Sequence, residues 1–382
     1  MRILQIAPPW FAVPPSGYGG TEQVVSLLTE GLVAAGHQVT LLAAGGSHTR
    51  ARLWRTFEAP PSTKLGDPVV ELAHGLRGHL HRREFDVVHD HTVTGAALAA
   101  VGEGPPVVHT LHGAWTDDNA TFYAALAGRV ALVAISDDQA TRRPADVDVA
   151  AVVHNAVDVQ AHPFVRTKGD HLVFIGRASP DKGPDLAIEV ARRLGRRLRM
   201  AVKVNEPDEH RYFREVLVPR LASADVELVE IRHPRQKLAL LAGAQAVLFP
   251  IRWPEPFGLV PLEANACGTP VVAFANGAVP EVVADGRSGF LVAPGDLDGL
   301  CVAATQAVEL DPVACRQHAL DHFDVPDLVA GYLRVYERVV ADGRPPGAHA
   351  PGREDVHLLP WGSGEATSRG RRPNGDRRAV FR

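Results

Sequence analysis

The sequence is short of several things, and each shortage argues against a class of protein. Cysteine occurs three times in 382 residues, at Cys267, Cys301 and Cys315, an odd number without metal-ligand spacing. That argues against a disulfide scaffold or a Cys-ligated zinc, and for a reducing, cytoplasmic setting. No apolar run approaches the roughly 18 residues needed to span a bilayer. An excess of one charge is missing too: the formal net charge is -4, so there is no general attraction to nucleic acid. The N-terminal MRILQIAPPW ends its apolar run at Pro8 and Pro9 and reads as a first strand rather than a leader. From Gly343 the chain turns to Pro, Gly, Arg and Ser with few apolar anchors, which predicts a disordered tail over 343–382.

What remains is an alternation of short apolar runs with longer amphipathic stretches. RILQIA, VTLLAA, VVH, PVVHTL and LVAIS read as strands, with a helical VVSLLTEGLVAAG after the first. The grammar repeats from LVFIG through LRMAVKV, VELVEI, AVLFP and PVVAFA. Strand, helix, strand predicts α/β architecture with parallel sheets, and the length suits two domains of roughly 150 to 200 residues. The turn-rich HNAVDVQAHPFVRTKGD separates the halves. We therefore expect doubly wound domains over 1–165 and 166–342, the last helix packing back on the first domain.

The first strand leads into PPWFAVPPSGYGGTEQVV, where Gly17, Gly19 and Gly20 precede a helix carrying Val24, Val25, Leu28 and Leu32 on one face. Thr21 is the expected N-cap. Glycines there let a phosphate or sugar approach the backbone, and the helix amides favour an anion. A dinucleotide site would also want an acid about 20 residues on. The chain has Leu42, Ala43, Ala44 and Gly45 instead, which argues against a nicotinamide enzyme.

In the second half, LVFIGRASPDKGPDLAIEVA puts Arg177 past a strand and Lys182 before a helix, within reach of a diphosphate. FPIRWPEPFGLVPLEANACGTPVV carries Glu255 and Glu263 eight positions apart, with Phe257, Gly258 and Leu259 where a helix should start. Either glutamate could be an ordinary surface acid. Glu263, however, sits among Leu262, Ala264, Ala266 and Cys267, where an unpaired carboxylate would be costly, so a hydroxyl-rich ligand is a reasonable partner.

From Met1 to about Val340 the chain resembles the family 4 retaining glycosyltransferases of GT-B fold, two Rossmann-like domains facing a central cleft. The features that carry the resemblance are the Arg177 to Lys182 pair in GRASPDKG and the E-x7-E pattern from Glu255 to Glu263. It implies that Arg177 and Lys182 bind the donor diphosphate, Glu255 the hydroxyls of the transferred sugar and Glu263 the ribose. Backbone amides around Phe257, Gly258 and Leu259 would support Glu255, while Gly19 and Gly20 close over the donor from the other domain. It also implies a nucleoside-diphosphate sugar as co-substrate, UDP- and GDP-sugars both being common in the family and a UDP-hexose favoured; no cofactor or metal is expected. EIRHP at Glu230–Pro234 lacks the glycine that the family carries in its base-binding loop.

His112, ending PVVHTLHGAW, matches a family histidine lining the cleft near the transferred sugar, and joins Arg177, Lys182 and Glu255 as a catalytic candidate. His109, three positions away, faces the other side of its strand and is expected to be structural. His89 and His91 share a face, but no further ligand is spaced for a compact metal site. Scattered arginines, Arg50, Arg52, Arg55, Arg77, Arg82 and Arg83, mark the acceptor side. ELAHGLRGHLHRREF is either a solvated helix face or a basic helix making weak peripheral contact with a membrane. The acceptor and the oligomeric state are not read from the sequence. A sugar-nucleotide epimerase and a catalytically silent sugar-nucleotide binding protein remain open alternatives.

Overall fold

A computed structural model describes residues 1–343 apart from Tyr18 and Ala127; the tail expected to be disordered otherwise lies outside the described residues. The apolar runs of the first half form β1 (Arg2–Ile6), β2 (Gln38–Ala43), β3 (Arg52–Arg55), β4 (Val87–Asp90), β5 (Val107–Leu111), β6 (Ala131–Ala134) and β7 (Ala151–Val152). They make one seven-stranded sheet in the order β3-β2-β1-β4-β5-β6-β7. The second half supplies β8 (Leu172–Arg177), β9 (Leu198–Lys203), β10 (Val226–Leu228), β11 (Ala246–Phe249), β12 (Val271–Phe274) and β13 (Gly289–Val292). These form a six-stranded sheet in the order β10-β9-β8-β11-β12-β13. Every strand pair is parallel. Helices cover the sheets, which is why β4, β5, β6, β11 and β12 are buried along their whole length.

Strand order reverses direction between β1 and β4 in one sheet and between β8 and β11 in the other. Open parallel sheets bind ligands beyond the carboxyl ends of their strands at such reversals. The first sheet is closed by the last helix, Val325–Asp342, which buries Leu328, Val329, Tyr332, Val335, Tyr336 and Val339. This helical stripe packs in one cluster with Val24, Leu28 and Leu32 of the Gly20–Ala34 helix, so the end of the described chain shares the core of its beginning.

The Pro68–His79 helix is not simply a solvated polar face. It buries Glu71, His74 and His79 and leaves Val69, Leu72 and Leu76 exposed. The polar side chains turn inward because the interior offers them partners. Glu71 accepts from the Thr94 amide at 3.0 Å, a His74 nitrogen meets the Ala7 carbonyl at 3.0 Å, and His79 meets Asp90 at 2.7 Å. Nor are the arginines free positive charge throughout: Arg50 is held by Glu30 at 2.6 Å, and Arg82 is buried against the Leu98, Ala99 and Glu103 carbonyls.

Candidate active site

The glycine loop after β1 ends at Gly19, whose φ of 144° suits glycine alone and which itself caps the first helix. Thr21 is therefore not the cap: with Gly20 already helical, it lies inside the first turn. A Cβ at Gly20 would stand 3.1 Å from a methyl of Leu259, the first residue of the Leu259–Ala266 helix after β11. The loop thus lies against the start of that helix. Glu22, one turn in, was not singled out in the sequence because an acid in a first turn is ordinary. Here it is 4% exposed, and burial outweighs a hydrogen bond from its own amide to raise its carboxyl to about 7.

Beyond β8 and β11 the cations and carboxylates meet. Lys182 donates to Glu255 at 2.6 Å, and Glu255 also accepts from the Trp253 indole at 3.0 Å. The Lys182 ammonium lies 4.8 Å from the centre of the Trp253 ring, so lysine, glutamate and tryptophan close a triangle. Arg177 bonds Asp181 at 3.0 Å and lies 3.5 Å from Glu209. Glu263 accepts from Lys237 at 2.6 Å through one oxygen; the other is buried without a partner. A buried carboxylate oxygen left open is costly unless a ligand completes it.

Glu255 and Glu263 do not share a helix. Glu255 lies in the loop, Gly258 turns the chain with a φ of 105°, and Glu263 is on the helix that follows. That helix has no side-chain cap, so the amides at its start are open to an anion. The Phe257 ring itself is core, packed edge-on against Phe323 with centroids 5.9 Å apart, which leaves only its backbone to the site.

His112 directly follows β5, in the half of the chain that forms the first sheet. Its Nε2 is 2.9 Å from Nδ1 of His91, and His91 Nε2 is 3.0 Å from Gln5 Oε1 on β1. Burial, with His109 adding to it, holds His112 down to about 3, so its ring is neutral at working pH. His109 is bonded to the Tyr123 hydroxyl at 3.0 Å, in keeping with a structural role. His89 and His91 do share a face, with ring centres 3.9 Å apart. Both nitrogens of each ring are hydrogen-bonded, His89 to Tyr336 and Thr110 and His91 to His112 and Gln5, which leaves no lone pair aimed at a metal. Elsewhere Asp137, His154 and Glu281 bring ligand atoms within 4.8 Å of one another. The Glu281 carboxylate there already accepts from the Asp137 and Asp138 amides at 2.8 and 2.7 Å and meets His154 at 3.0 Å, so it ties the loop after β6 to the segment after β12.

Residues 18–161 match the family described as Glycosyltransferase Family 4, and residues 160–318 the family described as Glycosyl transferases group 1. The chain is 31% identical over 303 residues to D-inositol 3-phosphate glycosyltransferase of Mycolicibacterium smegmatis, covering 68% of this chain and 69% of that one. This chain belongs to glycosyltransferase family 4. The enzyme is also 28% identical to glycogen synthase of Mycobacterium tuberculosis, over 94% of its own length and all of the relative's. Among solved structures it matches AviGT4, a glycosyltransferase involved in avilamycin A biosynthesis, with a TM-score of 0.70 at 27% identity, covering 89% and 98% of the two chains. Anabaena HepE, crystallised with UDP-glucose, matches with a TM-score of 0.69 at 18% identity, over 88% of this chain and 100% of that one; a likeness at that identity speaks for the fold.

The glycosyltransferase therefore has the GT-B fold, and neither the epimerase nor the silent binding protein is favoured. Of the residues expected at its site, the structure joins Lys182 with Glu255 and sets Gly20 against Leu259. It adds Trp253, Lys237 and Glu209, none of which the sequence reading named. Trp253 had a readable signal, an aromatic two residues before Glu255 in a proline-flanked loop. Lys237 and Glu209 had none, because only the fold brings them near. No helix among the described residues is long and apolar enough to cross a membrane.

Proposed function

We propose that the glycosyltransferase moves a hexose from a nucleoside-diphosphate sugar, a UDP-hexose by preference, to an acceptor hydroxyl, with retained configuration and without a metal. The observation that carries this reading is the set of lysine–carboxylate pairs beyond β8 and β11, with one buried oxygen of Glu263 left open. A diphosphate exchanges partners there: its oxygens take Lys182 and Arg177, and Glu255, released, accepts from hydroxyls of the transferred sugar. The open Glu263 oxygen accepts from the ribose, with Lys237 holding the carboxylate in place. Amides at the start of the Leu259–Ala266 helix and the backbone of Gly19 and Gly20 enclose the donor.

The leaving nucleoside diphosphate is already stable, so the protein's task is to stabilise charge as the glycosidic bond breaks. Lys182 and Arg177 do this with fixed positive charge. The acceptor attacks from the side the leaving group departs, passing its proton to a donor phosphate oxygen, which accounts for retention. His112, neutral, accepts or donates one hydrogen bond at the sugar. Two carboxylates each tied to a lysine suit hydroxyl recognition better than glycosidase acid–base work.

The test is a panel of UDP-, GDP- and ADP-sugars in chelator, read by nucleotide release, thermal stabilisation and the anomeric configuration of any product. One donor should stabilise the protein and release its nucleotide, with both effects lost in Lys182→Ala and Glu255→Ala. No stabilisation by any sugar nucleotide, or an inverted product, would overturn the reading.

A further inference from the structure

The residues behind His112 form one continuous hydrogen-bonded chain that ends on the last helix. His112 meets His91 at 2.9 Å, His91 meets Gln5 at 3.0 Å, Gln5 Nε2 donates to the Tyr336 hydroxyl at 2.9 Å, and Tyr336 meets Nδ1 of His89 at 2.6 Å. His89 Nε2 then meets Thr110 Oγ1 at 2.8 Å, and Thr110 meets the Tyr332 hydroxyl at 2.7 Å. Gln5 and His89 are register partners on β1 and β4, so the strand order itself builds the middle of the chain. Gln5, His89, His91 and Thr110 are buried, as are Tyr332 and Tyr336.

A chain of neutral groups that each donate once and accept once can run in only two directions, and the choice fixes every tautomer in it. Lengths separate the two. Hydroxyl donors make the shorter bonds and amide donors the longer ones. Tyr336 is 2.6 Å from His89 and 2.9 Å from Gln5, so its hydroxyl donates to the imidazole and accepts from the amide. The Gln5 carbonyl must then face His91 and accept from its Nε2–H. With Nε2 protonated and the ring neutral, His91 Nδ1 accepts from His112 Nε2–H. That leaves Nδ1 of His112 with a lone pair that meets no hydrogen-bond partner among the described residues. Neutrality is secured by burial, which holds His89 and His91 well below the usual histidine range.

We propose that Tyr336 is a positioning residue for His112: acting through Gln5 and His91, it makes His112 present an accepting nitrogen, suited to a sugar hydroxyl, at the active site. The tautomer is a property of the chain's geometry; its use in transfer rests on the reading of the site given above. The last helix, otherwise a packing element, thereby sets the hydrogen-bonding polarity of a cleft residue 224 positions earlier in the sequence.

The test labels histidine with nitrogen-15 and reads the ring nitrogens of His112, identified by the signals lost in His112→Gln. In the wild type Nε2 should carry the proton and Nδ1 the lone pair. Tyr336→Phe removes the hydroxyl that orients the Gln5 amide, so His112 should become a mixture of tautomers, and Gln5→Leu, which cuts the chain, should do the same. Tyr332→Phe, on the same helix but beyond His89, should cost comparable stability yet leave the His112 tautomer intact. Transfer by Tyr336→Phe should fall about tenfold in kcat, with donor KM within about twofold. A wild-type His112 protonated on Nδ1, or an unaltered tautomer in Tyr336→Phe, would overturn the relay. These spectra need no donor. If they come out as expected while His112→Gln transfers at the wild-type rate, the placing of His112 in the site has failed and the relay has not.

Discussion

The two groups of residues expected at the site are built on opposite principles. Past β8 and β11 the groups are charged and paired, Lys182 with Glu255, Lys237 with Glu263 and Arg177 with Asp181. Past β1, β4 and β5 they are neutral and buried, histidines, a glutamine and tyrosines linked end to end. Charge pairs can exchange one partner for another when an anion arrives, whereas a neutral chain whose inner members are all partnered keeps its geometry and offers a ligand only its end. The difference suggests a division of labour: one side exchanges its bonds for the donor's, the other holds a frame against which the sugar is placed. Glu22 marks the boundary, an acid on the neutral side without the cation that each glutamate across from it has.

Breaking the charged side should have the largest effect. Lys182→Ala should slow transfer about 100 to 1,000-fold, the cost of losing a preorganised group facing a developing oxyanion, and Arg177→Ala should behave similarly. Single-turnover rates at saturating donor check this. The next effect is in stability. Because burial raises Glu22 from 4.5 to about 7 in the folded protein, the fold holds that proton more tightly than the unfolded chain does. Its contribution is complete below about pH 4.5 and is lost as pH rises through 7, so Glu22→Gln should be about 2–3 kcal/mol more stable than wild type at pH 8. Denaturant melts at pH 8 and pH 3.5 check the sign, the gain vanishing at the lower pH.

A smaller change sharpens the comparison within the charged side. Glu263→Ala should raise donor KM about tenfold while kcat changes less, if its proposed ribose contact lies away from the breaking bond. Smallest of all is an expected absence of change. His112, held down to about 3, should show no ring titration between pH 5 and 8 by NMR, whereas an ordinary histidine would titrate in that window.

Much of the frame was legible before the structure. β1, β5, β8, β11 and β12 announce themselves as apolar runs because both their faces are covered. β3 and β7 do not, since edge strands of four and two residues with no buried side chain leave little periodicity to read. The glycine loop and the Arg, Lys and Glu positions were visible because each lies next to a strand end or helix start in sequence. What stayed hidden depends on approach through space. Lys237 reaches Glu263 across 26 positions, and Tyr336 reaches His89 across 247. The Thr21 cap was misplaced because a glycine with positive φ can itself start a helix.

The account stands on the claim that the paired charges beyond β8 and β11 are a donor site awaiting its anion. Calorimetric titration of UDP into the wild type, Lys182→Ala and Lys237→Ala, all in chelator, tests it most directly. The expected result is saturable binding by the wild type, weakened about tenfold or more in each variant and weakened further by salt. Equal affinity in all three proteins, or no binding by the wild type, would contradict it.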